Sequence, residues 1–153
     1  MTRYSRGVPS AHEDLKRVPL FSGLSQRQLR QLAGNFRERH VRPGTLLAKQ
    51  GEMSGVDFFV IAEGEAAVVV DGTRVDTIGP GDFFGELAMI SQRERMATVE
   101  ALTPMRCRTI QFWEFRAYAR KNPDVMWKLL QHVADILLRE QSRHAAHAGG
   151  ASP

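Results

Sequence analysis

Cysteine is nearly missing from this chain of 153 residues, where Cys107 stands alone. A single thiol excludes an internal disulfide framework and fits a reducing compartment. Long hydrophobic runs are missing too: about 18 consecutive apolar residues, the length of a membrane span, occur nowhere. Met1 to Ser10 lacks the apolar stretch of a signal peptide. Together these absences predict a cytoplasmic protein. Blocks of like charge are also lacking. The net charge is +4, yet Arg27, Arg30, Arg37, Arg39, Arg42, Arg106 and Arg108 are scattered, which reads as solvated surface rather than a nucleic-acid stripe.

Histidine is sparse where barrel enzymes of cupin type need converging ligands. Only His40 lies near the strand region; His132 is isolated, and His144 and His147 fall in an Ala/Gly-rich tail. No catalytic residue, metal or cofactor is expected, and the chain reads as a non-enzyme.

What is present falls into three zones. After a flexible start to Ala11, Glu13 to Val18 predicts a short helix stopped by Pro19. Ser25 and Gln28 have capping-box spacing, Leu24 can staple onto Leu29, and Leu29, Leu32, Ala33 and Phe36 share a helical face. From Arg39 to Ile110 turns take over: Pro43-Gly44, Gly51, Asp71-Gly72 and Gly79-Pro80-Gly81-Asp82. Between them Phe58–Ile61, Ala67–Val70, Val75–Ile78 and Ala97–Glu100 read as strands, with Asp71-Gly72 a hairpin turn. Met105, Cys107 and Thr109 alternate as in a strand, which makes Cys107 a small buried hydrophobe. Phe58, Phe59, Phe83 and Phe84 read as core and barrel-rim residues.

Phe112 to Arg120 predicts a helix, Asn122-Pro123 restarts one, and an apolar stripe from Met126 to Leu137 carries it to about Arg143. His144 to Pro153 reads as a disordered tail. The expected fold class is mainly β with flanking helices: a β jelly-roll barrel with an N-terminal helical segment and C-terminal helices. The expected organisation is a flexible 1–11, a single domain over 12–143 and a tail over 144–153. The stripe serves either packing on the domain's own barrel or a homodimer through the C-terminal helix.

The chemistry concentrates in Gly81-Asp82-Phe83-Phe84-Gly85-Glu86-Leu87-Ala88-Met89-Ile90, followed after Arg93 and Glu94 by Arg95-Met96-Ala97-Thr98. A glycine, a short helix start over Glu86–Ile90 and an arginine before a strand suggest an anion cradle. Gly85 permits close backbone approach, amides at the helix start face a phosphate, and Arg95 adds a bidentate charged contact with small Ala97 beside it. Glu86 would be repelled by a phosphate unless it has a donor of its own. The free 2′-hydroxyl of a ribose 3′,5′-cyclic phosphate is such a donor.

Phe84-Gly85-Glu86-Leu87-Ala88 and Arg95-Met96-Ala97-Thr98, at this separation, resemble the phosphate-binding cassette of the cyclic-nucleotide-binding domain family. That family includes the regulatory subunits of cAMP-dependent protein kinase and the bacterial catabolite activator protein. Arg42-Pro43-Gly44, Gln50-Gly51-Glu52, Phe59-Val60-Ile61, Glu63-Gly64 and Gly79-Pro80-Gly81-Asp82 are similar to its upstream turns and strands. The resemblance, from about Leu15 to about Leu138, implies a ligand-binding set of Gly85, Glu86, Leu87, Ala88, Arg95, Met96, Ala97 and Thr98. Glu86 takes the ribose 2′-hydroxyl and Arg95 an exocyclic phosphate oxygen. Gly85, Leu87, Ala88 and Ala97 line the cassette, and Thr98 lies beside the base.

Met96 stands where cGMP-selective members often carry a hydroxyl-bearing threonine. The expected ligand is therefore cAMP, with cGMP the alternative. Met96 is also bulkier than the usual alanine, which leaves open a non-catalytic interaction scaffold with a degenerate pocket. Leu130, Val133 and Leu137 are candidates to cap the base. The implied role is a regulatory sensor acting through its C-terminal helices on an effector the sequence does not name. Relatives that read DNA add a helix-turn-helix of roughly 60 residues after the long helix. This sequence ends within about 15 residues of it, so neither direct DNA binding nor membrane contact is expected.

Overall fold

A computed structural model describes residues 10–52, 57–85 and 95–150. The first helix, α1 (Ala11–Lys16), starts two residues earlier than its apolar pattern suggests. Ser10 is the reason: its hydroxyl accepts the Glu13 N–H at 3.2 Å and caps the helix from outside. A 3₁₀ turn follows at Pro19–Phe21, then α2 (Gln26–Ala33). Its capping box is complete: Gln28 N–H donates to Ser25 Oγ (3.2 Å) and Ser25 N–H to Gln28 Oε1 (3.0 Å).

Among the described residues, eight strands make two antiparallel sheets. The first has the order β1 (Arg37–Val41), β8 (Met105–Gln111), β3 (Asp57–Glu63), β6 (Phe83–Phe84). The second runs β2 (Leu46–Ala48), β7 (Thr98–Ala101), β4 (Ala66–Val70), β5 (Thr73–Ile78). With helices α3 (Phe112–Lys121) and α4 (Pro123–Gly150) at the end of the chain, this is the expected jelly roll with flanking helices. In the β4–β5 hairpin Val70 pairs with Thr73, so Asp71 (φ 51°) and Gly72 (φ 79°) form a two-residue turn with both residues left-handed.

The two faces of β3 explain its unbroken apolar run. Phe58 and Val60 point to the helices, among Leu15, Leu32, Phe36 and Val125. Phe59 and Ile61 point between the sheets, among Val41, Val99, Met105 and Cys107. A strand buried on both faces has no polar alternation to show. Each large side chain buried this way contributes about 1.5–3 kcal/mol. The four phenylalanines are core and rim residues as expected, with Phe58 and Phe59 at 1% and 2% exposure and Phe83 and Phe84 partly buried against the two clusters.

Two expectations need correction, and one strand carries no apolar signal. Arg106 and Arg108 are not solvated surface: they are buried on the helix-facing side of β8, where Asp14 of α1 holds both. β1 carries no apolar alternation, since Arg37 to His40 are exposed; it is a strand because all five of its residues pair with β8. Finally, α4 continues through Gly150 instead of giving way to a tail at His144. Ala145, Ala146 and Ala148 have the highest helix propensity of any residue type and favour this continuation.

Candidate functional site

The pocket begins where β6 ends. Gly85 has φ +92°, a conformation that L side chains rarely adopt. A Cβ there would run into the Asp57 carbonyl oxygen and lie 2.6 Å from Arg95 Nη1. Glycine is what lets the arginine and the start of β3 close on each other. Arg95 is 5% exposed, and its Nη2 donates to the Asp57 carbonyl at 2.9 Å. Its backbone is pinned twice, with Arg95 N–H donating to the Glu52 carbonyl (3.0 Å) and Gly51 N–H to the Arg95 carbonyl (2.9 Å). The Gln50-Gly51-Glu52 turn thus holds the arginine in place.

Gln50 ties the next two pieces together. Its N–H donates to Thr98 Oγ1 at 3.0 Å. Its side chain exchanges two 2.9 Å hydrogen bonds with the Asp71 carboxylate and N–H at the hairpin tip. Thr98 therefore uses a lone pair structurally and keeps its hydroxyl hydrogen to donate.

Gly85, Arg95, Met96 and Ala97 line one pocket of about 170 Å³, together with Val68, Ile78 and Phe84 on its apolar side. Phe84 stacks on Phe59 with centroids 4.7 Å apart and planes within 7°. Met96 is 70% exposed at this pocket. Of the eight residues expected in the site, the structure brings these four together and sets Thr98 on the adjoining strand. Glu86, Leu87 and Ala88, with the expected helix over 86–90, lie outside the described residues. Leu130, Val133 and Leu137 do not line the pocket: Leu130 and Leu137 are exposed and Val133 packs on the helix-side core.

Asp57 escaped the sequence reading. It carries no motif, and its carbonyl, which any residue would supply, makes the key contact. Burial pushes its carboxyl above the ordinary carboxylate value; Arg95 and Arg39 pull the other way, Glu114 pushes up and Arg37 pulls down. A buried, clamped guanidinium beside a glycine-lined concavity suits a small anion, since low dielectric strengthens the attraction and the arginine needs no reorganisation. Among the described residues no helix is long and apolar enough to cross a membrane.

An antiparallel jelly roll with such a pocket defines a small-ligand-binding domain. The family described as "Cyclic nucleotide-binding domain" matches residues 38–122, and the chain belongs to that family. It is 37% identical over 98 residues to a cAMP-dependent protein kinase regulatory subunit of Yarrowia lipolytica, an alignment covering 63% of this chain and 26% of the subunit. The chain thus spans about a quarter of that relative's length. Among solved structures it resembles the N-terminal domain of a transcriptional regulator from Streptomyces coelicolor A3(2), with a TM-score of 0.75 and 27% identity over 84% of this chain and 94% of that one. The catabolite activator protein of Thermus thermophilus shares the fold, with a TM-score of 0.71 and 22% identity over 86% of this chain and 62% of that one.

Proposed function

We propose that this domain is a non-catalytic sensor of a cyclic nucleotide, cAMP ahead of cGMP. The observation that carries the reading is the buried Arg95, clamped against left-handed Gly85 inside the span matched to the family. Arg95 takes the cyclic phosphate, Glu86 the ribose 2′-hydroxyl, and Thr98 and Met96 stand beside the base. The similarity to a kinase regulatory subunit supports a regulatory role.

Signalling passes through α3 and α4, whose position the ligand biases by binding one arrangement more tightly than the other. The partner is an effector protein or a second copy, in the cytoplasm. Calorimetric titration of nucleotide-stripped protein with cAMP, cGMP and 5′-AMP tests the reading. Tight cAMP, weaker cGMP and negligible 5′-AMP are expected; equal binding of 5′-AMP would refute recognition of the cyclic phosphate. One observation favours a second reading, a scaffold with a non-binding pocket: Met96 adds bulk at the pocket. Folded protein that binds none of the three nucleotides would establish it.

A further inference from the structure

We propose that Met96 is a peroxide-sensitive modification site whose oxidation loosens the ligand. The proposal rests on the nucleotide reading of the pocket. Met96 directly follows the buried Arg95, lines the same pocket and is 70% exposed. The other described methionines are less accessible: Met105 is 3% exposed between the sheets, and Met126 is partly buried against the helix-side core. A thioether needs no deprotonation to react, so access decides which sulfur is oxidised.

The step balances with hydrogen peroxide as oxidant. A sulfur lone pair attacks one peroxide oxygen, the O–O bond breaks and an S–O bond forms. The transferred oxygen's proton passes to the departing hydroxide, which leaves as water. Sulfur is oxidised to the sulfoxide as the peroxide is reduced. The product adds a polar S=O to the lining of a pocket whose other side chains include apolar Val68, Ile78 and Phe84. Covering that group with a part of the base that turns no N–H towards it costs affinity, roughly tenfold for one unsatisfied polar group.

The test treats the purified full chain with limited hydrogen peroxide, maps sulfoxides by peptide mass spectrometry and titrates cAMP before and after. Met96→Leu protein is carried in parallel. Expected are oxidation of Met96 ahead of Met105 and Met126, a loss of roughly tenfold in wild-type affinity, and recovery with methionine sulfoxide reductases. The Met96→Leu affinity, whatever its starting value, is the same before and after peroxide. The proposal falls if Met96 is spared, if oxidised wild type binds as before, or if the leucine variant loses as much. Protein that binds no cyclic nucleotide before treatment fails the nucleotide reading and takes the regulatory half of the proposal with it, while the mass map still decides reactivity.

Discussion

Arg95, Gly85 and Asp57 act as a unit at the pocket. Arg95→Lys keeps the charge but loses the fork, which reaches the Asp57 carbonyl and, under the proposed nucleotide reading, takes a phosphate oxygen as well. A charge-assisted hydrogen bond is worth about 1.5–3 kcal/mol, so cAMP affinity measured by calorimetry falls by roughly 10- to 150-fold. The far-ultraviolet spectrum stays unchanged. Gly85→Ala places a Cβ against the Asp57 carbonyl and Arg95 at a positive φ, and costs about 1–3 kcal/mol in urea unfolding.

Asp57 adds a pH dependence. With its folded pKa raised above the ordinary 3.8, the native state holds more protons than the unfolded chain in the window above that value. Stability from this group is therefore lost as pH rises through the window. Asp57→Asn removes that slope while keeping the backbone carbonyl for Arg95. Unfolding midpoints of both proteins at roughly pH 4 and pH 6 measure the difference.

At the scale of elements, the join between α1 and β8 is ionic. Arg106 makes a bidentate pair with Asp14 (2.7 and 3.2 Å) and a third bond to Glu63 at 2.7 Å. Arg108 adds a 2.8 Å bond to Asp14 and a 3.0 Å contact with Glu38. Asp14, at 2% exposure, is the shared acceptor. Asp14→Ala leaves two buried guanidinium groups short of an acceptor, and chemical denaturation is expected to show a loss of about 3–5 kcal/mol. On the opposite face of the same strand, burial pushes the Cys107 thiol up to about 11. Native protein is expected to resist iodoacetamide, and urea to restore alkylation.

Across the whole molecule, α2 and α4 share the helix-side core, and Gln28 adds the polar link between them. Gln28, already half of the capping box, donates to Asp124 at 2.8 Å and accepts from Lys128 Nζ at 2.9 Å. Outside this join α4 bares Trp127, Leu130, Leu137 and Leu138, each more than half exposed. Residues 127, 130 and 137 follow the spacing of a two-helix seam, with Ala134 between them. Under the proposal that α4 pairs two copies, sedimentation equilibrium gives a dimer and Leu130→Glu with Leu137→Glu gives a monomer. A wild-type monomer would leave the stripe for the effector.

The Ser25–Gln28 capping box, the Asp71-Gly72 turn and the apolar β3 are legible in the sequence because each depends on neighbours a few residues away. Gly85 could be picked out for the same reason, since its backbone conformation is a local demand. Tertiary structure alone decided that Arg106 and Arg108 are interior, for the carboxylate that makes their burial tolerable comes from 92 and 94 residues upstream. It alone gave Asp57 a role, through a carbonyl that has no residue signature. It also recruited the charged β1, whose pairing lies in backbone groups that every residue carries. Side-chain patterns report local conformation and which face is apolar; a partner distant in the chain is set only once the sheets have closed.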